Sequence, residues 1–303
     1  MDWLISSYSY AQAGVRLALR KCRRGIYSLF GRNPYVGGSH APSTGEEWRA
    51  VRALLEARRS VPVLLGEVPE GGLWNTCAGK YVFLKGLDPF YVRIAAEEQA
   101  INVYGLTERD KIVVDCGANV GLFTKYALQS GAERVIAFEP SPGNAACFRY
   151  NLADEFRAGR ITLIEKGLLD REGEVRFFTP KADPFAHAVA EDGTGDSSIP
   201  VTTLDRALEE IGVKHVDFIK MDIEGSELRA IEGARNILQG IRPRISIGTE
   251  HTADYFANTA QVIDRMVSLG YDYLCTQSLP HYSPSLRKTM LTPHCVLFNP
   301  RGA

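Results

Sequence analysis

The length and composition of the chain predict a soluble globular protein with a full apolar core. Its 303 residues are enough for one large domain and an N-terminal extension, and 45% of them are apolar. Lys and Arg total 35 against 36 Asp and Glu, so the overall charge does not favour a nucleic acid as partner. The six cysteines form no C-x-x-C pair and follow no secretory signal, so we expect free thiols in a reducing cytosol, without a disulfide framework or a zinc site.

Residues 1–60 are predicted to be a basic helical extension followed by a linker. The first 32 residues carry six basic side chains against the single acid Asp2, with apolar residues between them. Two interpretations are open: an amphipathic helix on an anionic membrane surface, or a helix that docks on the main domain or on a partner subunit of a homodimer. No apolar run reaches the roughly 18 residues that a spanning helix needs. The protein is therefore expected in the cytoplasm, with or without peripheral membrane contact.

Residues 61–110 are predicted to cover a pocket of the main domain. Residues 61–65 and 80–84 have the pattern of short strands, and residues 70–72 have that of a turn between them. Residues 94–104 have the pattern of a helix that leads into the main domain.

From residue 111 to 303, strand and helix patterns alternate. The predicted strands are 112–115, 134–138, 161–165, 216–221, 245–249, 271–276 and 295–299, and the predicted helices lie near 120–130, 143–156, 204–211, 226–239 and 253–269. This order predicts an α/β fold with a mostly parallel sheet and helices on both faces. The last two strands lack a helix pattern between them, so we expect them to form an antiparallel pair at one edge.

The loop after the first of these strands carries the most informative motif. Residues 115–121 follow D-x-G-x-N-x-G, which departs from the G-x-G-x-x-G of dinucleotide-binding folds. Asp115 at the start of the loop would repel a pyrophosphate, but it suits the ammonium and sulfonium groups of S-adenosylmethionine. Glu139 ends the next strand, and we expect it to accept hydrogen bonds from the ribose hydroxyls. The alternative is an ordinary turn whose acid caps the following helix.

A second cluster of acids surrounds the ends of the fourth and fifth main-domain strands. Asp222 closes the fourth strand, Gly225 makes the turn, and Glu227 enters the next helix, whose dipole favours a negative charge. Glu250 and His251 follow the fifth strand, which should end beside the fourth. The candidate general bases are Asp222, Glu250 and His251. Two acids and a histidine could instead hold a divalent cation, but their spacing matches no recognised metal motif, so no metal is expected.

Together these motifs resemble the FkbM family of S-adenosylmethionine-dependent methyltransferases. The resemblance is carried by VDCGANVG at 114–121, FEP at 138–140, TLD at 203–205, IKMDIEGSE at 219–227 and IEGA at 231–234. It implies a seven-stranded class I, Rossmann-like methyltransferase fold in residues 111–303. The cofactor-binding residues that it implies are Asp115, Gly117, Ala118, Asn119, Gly121, Glu139, Pro140, Gly167, Leu168 and Asp222. Near Gly167 and Leu168 no acid comes before Asp170, so adenine recognition is expected to use backbone groups.

The resemblance also implies O-methylation of a hydroxyl on a sugar, a glycolipid or a secondary metabolite. N-methylation and a membrane-recruited scaffold with a vestigial cofactor site are the alternatives, and the loop spacing disfavours a dinucleotide-dependent oxidoreductase. Residues 179–198 combine Pro, Gly, Asp and Ser, and we predict that they form a mobile lid with His187 near the acceptor. Exposed disorder is the alternative there. The irregular stretch 278–293 is expected to shape acceptor specificity.

Overall fold

The computed structural model describes residues 61–100, 102–178, 188–189, 195, 197–249, 251, 255–275, 278–283, 288–293 and 295–302. The predicted extension, residues 1–60, lies outside the described residues, as does most of the predicted lid, including His187. Glu250, one of the three candidate bases, also lies outside them. In the part of the chain that is described, no helix combines the length and the apolar character needed to cross a bilayer.

The described chain begins with a three-stranded antiparallel sheet and a helix. These elements are β1 (Val63–Val68), β2 (Gly71–Thr76), β3 (Gly79–Phe83) and α1 (Pro89–Ala100). The prediction of a turn at 70–72 was wrong in part, because Gly71 and Gly72 belong to β2. The helix begins at Pro89 rather than at residue 94, since proline suits a first helical turn and the Asp88 carboxylate accepts the Phe90 N–H.

The main sheet has seven strands, and it confirms the predicted mostly parallel α/β architecture. The strands that follow β3 are β4 (Ile112–Cys116), β5 (Arg134–Phe138), β6 (Ile161–Ile164), β7 (Gly167–Leu168), β8 (Gly173–Phe178), β9 (Ala188–Val189), β10 (Ser197–Thr202), β11 (Phe218–Met221), β12 (Arg244–Gly248), β13 (Tyr271–Cys275), β14 (Ser278–Ser283), β15 (Lys288–Pro293) and β16 (Cys295–Pro300). The order in the main sheet is β13-β16-β12-β11-β4-β5-β6. Strand β16 runs antiparallel to both β12 and β13, which confirms the predicted antiparallel pair at the edge.

Helices cover both faces of this sheet. They are α2 (Leu122–Gln129), α3 (Pro142–Asn151), α4 (Ala153–Arg157), α5 (Leu204–Glu210), α6 (Glu227–Glu232) and α7 (Tyr255–Ser268), and a π-helical turn spans Ile237–Ile241. Successive strand residues point to opposite faces, so Val113 packs with Phe123 of α2 while Val114 packs in the cluster that contains Leu208 of α5. Burial on both faces explains why the central strands β4, β5 and β12 are mostly continuous apolar runs, whereas the edge strand β13 alternates.

Two smaller sheets flank the main one. Strands β7, β10, β8 and β9 form a four-stranded sheet in which β8 pairs antiparallel with β10. The prediction that residues 278–293 are irregular was wrong, because β14 and β15 pair there as an antiparallel hairpin. The sequence did not predict this hairpin because it contains Pro280 and Pro293, and proline argues against a central strand. Proline is tolerated here because both strands of the hairpin are edge strands.

Candidate functional site

A cleft opens where the strand order reverses, between β4 and β11. In open α/β sheets this switch point, outside the carboxyl ends of the strands, is where ligands bind. The cleft contains about 610 Å³ of empty space, including its open mouth. Of the residues predicted to bind the cofactor, it is lined by Gly117, Asn119, Glu139, Pro140, Gly167, Leu168 and Asp222.

In the glycine-rich loop after β4, Gly117 lies too close to the backbone after β11 to carry a side chain. Gly117 has φ +79°, and a Cβ there would lie 1.9 Å from the carbonyl oxygen of Asp222. The N–H groups of Gly117 and Ala118 donate to the Phe138 carbonyl oxygen at 3.0 and 2.9 Å. The loop is thereby fixed to the strands on both sides, which shapes the wall of the cleft.

Two of the predicted loop residues support the loop without lining the cleft. Ala118 is buried in the core that covers one face of the main sheet. Gly121 caps α2 with φ +92°, and a Cβ there would lie 2.5 Å from Leu152 Cδ1. Their contact with a cofactor stays a prediction.

Glu139 lies at the tip of β5 and is 4% exposed, yet its carboxylate is part of the cleft wall. Oε2 accepts the Asn119 N–H at 2.8 Å, and Oε1 accepts the Ser141 N–H at 2.9 Å. Burial raises the pKa of Glu139 to about 7, although the hydrogen bonds from Ser141, Asn119 and Asn144 oppose the rise. The carboxylate is therefore held in one orientation and is near its titration point at neutral pH.

Asp115 is fully buried beneath the loop and does not line the cleft. Its Oδ2 accepts the Thr124 hydroxyl at 2.7 Å, and its Oδ1 lies 3.3 Å from Lys220 Nζ. The predicted direct contact of Asp115 with a cofactor stays a prediction, and its position in the structure favours a supporting role.

Lys220 is a buried charged residue beside the cleft that was not predicted from the sequence. Its Nζ donates to the carbonyl oxygens of Gly117 at 2.6 Å and Cys116 at 3.3 Å, and it lies 4.0 Å from Asp222 Oδ2. Burial lowers the pKa of Lys220, but the carboxylates of Asp115 and Asp222 outweigh it and raise that pKa above its ordinary value. A lysine in the otherwise apolar strand β11 was the available signal, because buried lysines are almost always paired.

Asp222 lines the cleft and contacts His251, another of the candidate bases. Asp222 Oδ2 accepts the Tyr104 hydroxyl at 2.6 Å, and Oδ1 lies 2.9 Å from His251 Nε2. Burial raises the pKa of Asp222, but Lys220 and His251 outweigh it and hold that pKa well below its usual range. Gly248 makes this pairing possible, because a Cβ there would lie 2.8 Å from Asp222 Oδ1.

The imidazole of His251 lies between carboxylates. Nδ1 is 2.9 Å from Glu227 Oε1, and Nε2 is 2.9 Å from Asp222 and 4.0 Å from Glu224 Oε2. Burial lowers the pKa of His251, but these three carboxylates raise it well above its ordinary value. The Oε1 atom of Glu227 also accepts the N–H groups of Ile223 and Gly225, so the same acid fixes the turn after β11. The sequence placed Asp222, Glu227 and His251 at neighbouring strand ends, and the structure adds the contacts of His251 with Glu227 and Glu224.

The sheet order and the cleft at its switch point define the class of protein, a class I, Rossmann-like methyltransferase fold. A family model described as "Methyltransferase FkbM domain" matches residues 115–273, more than half of the 303. The chain therefore belongs to the FkbM methyltransferase family, which confirms the resemblance found in its motifs. Members of this family use S-adenosylmethionine as methyl donor.

Individual relatives are similar to parts of the chain. The hexuronic acid methyltransferase AglP of Haloferax volcanii is 29% identical over 135 residues, which cover 44% of this chain and 54% of the relative. The 2-O-methyltransferase NoeI of Sinorhizobium fredii is 27% identical over 155 residues, covering 45% of this chain and 63% of the relative. The match therefore spans less than two thirds of either relative. A crystal structure of methyltransferase FkbM from Methylobacillus flagellatus superposes with a TM-score of 0.44 at 19% identity, covering 82% of this chain and 59% of that chain.

Proposed function

We propose that the protein transfers a methyl group from S-adenosylmethionine to a hydroxyl of a sugar, a glycolipid or a secondary metabolite. The observation that carries the proposal is the Glu139 carboxylate, held by two backbone N–H groups at the wall of the switch-point cleft. Each carboxylate oxygen has two lone pairs. Oε1 also accepts Asn144 Nδ2 at 3.4 Å, whereas Oε2 accepts the Asn119 N–H alone and retains capacity for a ribose hydroxyl. The relatives that are named as a hexuronic acid methyltransferase and a 2-O-methyltransferase support a sugar hydroxyl as the acceptor.

The residues of the cleft fit this cofactor. Gly117 lets the loop lie directly against the backbone of Asp222, and Asn119 and Glu139 supply polar groups on the cleft wall. We assign the methionine side to Gly117 and Asn119, the ribose to Glu139 and Pro140, and the adenine to the backbone at Gly167 and Leu168. When bound, S-adenosylmethionine supplies a methyl group on a sulfonium leaving group that is already activated.

Asp115 is proposed to act on the cofactor through its neighbours. Its carboxylate anchors Thr124 at the start of α2 and the ammonium group of Lys220. Lys220 in turn holds two carbonyl oxygens of the loop. Asp115 therefore sets the position of the loop, while Glu139 makes the direct contact.

Asp222 is proposed to receive the acceptor hydroxyl. Of the two candidate bases that the structure describes, Asp222 is the one that lines the cleft, and Tyr104 and His251 hold its carboxylate in one orientation. A fixed carboxylate can accept the hydroxyl hydrogen bond and aim the oxygen, and positioning of this kind supplies much of the rate of a group transfer. In this arrangement both nitrogens of His251 face carboxylate oxygens, so we assign it to hold Asp222 rather than to remove the acceptor proton. Glu250 remains a candidate base.

Residues 61–110 are proposed to form a cover of this site that is separate from the main domain. Two observations support this division. The Tyr104 hydroxyl reaches Asp222, and side chains of β2, β3 and α1 pack with Val120 and Cys147 of the main domain.

The proposal is tested by binding and by transfer. The full chain should bind S-adenosylhomocysteine with micromolar affinity in calorimetry and should bind NAD far more weakly. Incubation with methyl-labelled cofactor and a metabolite extract should then place the label on a hydroxyl oxygen, identified by mass spectrometry. The proposal is wrong if S-adenosylhomocysteine does not bind, and the reaction type is wrong if the label appears on nitrogen.

We also propose that residues 1–32 give the protein a peripheral membrane contact in the cytoplasm or a homodimer interface. Their basic and apolar side chains support both interpretations. Flotation with anionic liposomes and measurement of the molar mass in solution, with and without these residues, distinguish the two.

A further inference from the structure

We propose that Asp222, Glu224 and His251 form a binding site for a divalent transition-metal ion, such as Mn²⁺, at the acceptor side of the cleft. Each residue offers one ligand atom, and these three atoms lie within 4.8 Å of one another. Ligands bound at about 2.1 Å from one ion lie roughly 3 to 4 Å apart. His251 Nε2 lies 2.9 Å from Asp222 Oδ1 and 4.0 Å from Glu224 Oε2, so the three atoms need to move little to share an ion.

The hydrogen bond on the other side of the imidazole supports the assignment. Histidines that bind metals almost always donate their second ring N–H to a carboxylate or a carbonyl, which fixes the tautomer and the ring plane. His251 Nδ1 lies 2.9 Å from Glu227 Oε1, so Nε2 is the nitrogen that faces Asp222 and Glu224. Glu227 is fully buried, and its Oε2 has no hydrogen-bond partner among the described residues, so the cluster holds negative charge that a cation would offset.

The turn after β11 presents the second carboxylate of the site. Glu224 has φ +56°, and the Glu227 carboxylate holds the N–H groups on both sides of it. Both Asp222 and Glu224 line the cleft, so an ion held by them would be open to an oxygen of the acceptor. One nitrogen and two carboxylate ligands suit a transition metal better than Mg²⁺, which prefers oxygen ligands throughout.

This inference rests on the proposed function for the identity of the acceptor, but not for the binding of the ion. An ion at this position would bind the acceptor hydroxyl and lower its pKa, so that the hydroxyl proton passes more readily to water at the open mouth of the cleft. The acceptor oxygen would then bond to the methyl carbon as the bond from that carbon to sulfur breaks and S-adenosylhomocysteine leaves. The bound ion would thereby promote the loss of the hydroxyl proton, which a neutral hydroxyl needs in order to become an effective nucleophile.

The test is the binding of Mn²⁺ to the full chain after removal of metal with a chelator. Electron paramagnetic resonance measures free Mn²⁺ directly, and we expect saturable binding of one ion per chain. Glu224→Gln should weaken that binding by at least about tenfold, as loss of a ligand or its support does elsewhere. Glu209→Gln is the matched control, because it removes the same charge from an exposed side chain on α5, and it should leave Mn²⁺ binding unchanged.

Two further outcomes separate this inference from the proposed function. Chelated protein that binds S-adenosylhomocysteine but takes up no Mn²⁺ at millimolar concentration overturns the metal site alone. Equal Mn²⁺ binding by the Glu224→Gln variant and the unsubstituted chain also overturns it. Protein that binds Mn²⁺ at this site but not S-adenosylhomocysteine supports the metal site and refutes the methyl transfer.

Discussion

Binding of S-adenosylhomocysteine should depend on pH through Glu139. A ribose diol donates hydrogen bonds, so it favours the charged carboxylate. Burial raises the pKa of Glu139 to about 7. The Glu139 carboxylate is therefore charged in about nine tenths of the molecules at pH 8 but in only about one tenth at pH 6. If the charged form alone binds, the affinity should fall by about tenfold, or about 1.4 kcal/mol, between pH 8 and pH 6.

The same pKa predicts the opposite trend for the stability of the ligand-free protein. The pKa of Glu139 rises from 4.5 to about 7 on folding, so between these values the folded chain binds more protons than the unfolded chain. The free energy of unfolding therefore falls as the pH rises through this window. Each unit of pKa difference corresponds to about 1.4 kcal/mol, so the free energy of unfolding should be lower above pH 7 than below pH 4.5 by roughly 3 kcal/mol.

Calorimetric titrations at the two pH values measure the binding, and urea unfolding without ligand measures the stability. Glu139→Gln is the control, because it cannot ionise and its amide offers only one oxygen to the two N–H groups of Asn119 and Ser141. The variant should bind weakly at both pH values, with a loss of about 1.5 to 3 kcal/mol at pH 8. The role given to Glu139 would be refuted if the unsubstituted chain bound S-adenosylhomocysteine equally well at both pH values. It would also be refuted if the affinity of the variant changed with pH as much as that of the unsubstituted chain.

Three other substitutions test the rest of the site. Lys220→Met should lower the free energy of unfolding in urea by about 3 to 5 kcal/mol, because Asp115 is left buried without its counter-charge, whereas the exposed Lys85→Met should change it by less than about 0.5 kcal/mol. Asp222→Asn should slow turnover by about 10²- to 10⁴-fold and change the affinity for S-adenosylhomocysteine little, and an unchanged rate would remove Asp222 from the mechanism. Gly248→Ala should also reduce turnover while the cofactor still binds, because the new Cβ would lie 2.8 Å from Asp222 Oδ1 and 3.0 Å from His251 Cε1. Gly240→Ala is the control and should retain full activity, because a Cβ at that position would have open space around it.

The main sheet could be predicted because its signal is local. Its central strands are short, mostly apolar runs that are buried on both faces, and the structure begins and ends the strands within a few residues of the predicted positions. Two of the errors occurred where proline changed the pattern. Pro89 starts a helix earlier than its periodicity suggested, and Pro280 and Pro293 lie in a hairpin that looked irregular. In each case the backbone context, which the local pattern does not contain, determines whether proline is tolerated.

The candidate site was predictable in its residues but only partly in its contacts. Asp115 was expected to reach a ligand because it starts the loop, but the parallel register places it directly beside Lys220 of β11. Pairing the two strands by their charged residues would have revealed this contact, since each apolar strand contains one. The contact of His251 with Glu227 joins residues on different elements across a turn, and no local pattern encodes such a contact.

The charges at the strand tips alternate in sign and connect the two sides of the cleft. Asp115 pairs with Lys220, Lys220 approaches Asp222, and Asp222 and Glu227 hold His251 between them. Because Lys220 also holds the carbonyl oxygens of the glycine-rich loop, the wall proposed for the cofactor and the acid proposed for the acceptor share one support. A displacement of the loop therefore changes the position of the ammonium group and, with it, the electrostatic field at Asp222. Effects of substitutions along this series should consequently be non-additive, since each residue shares a partner with the next.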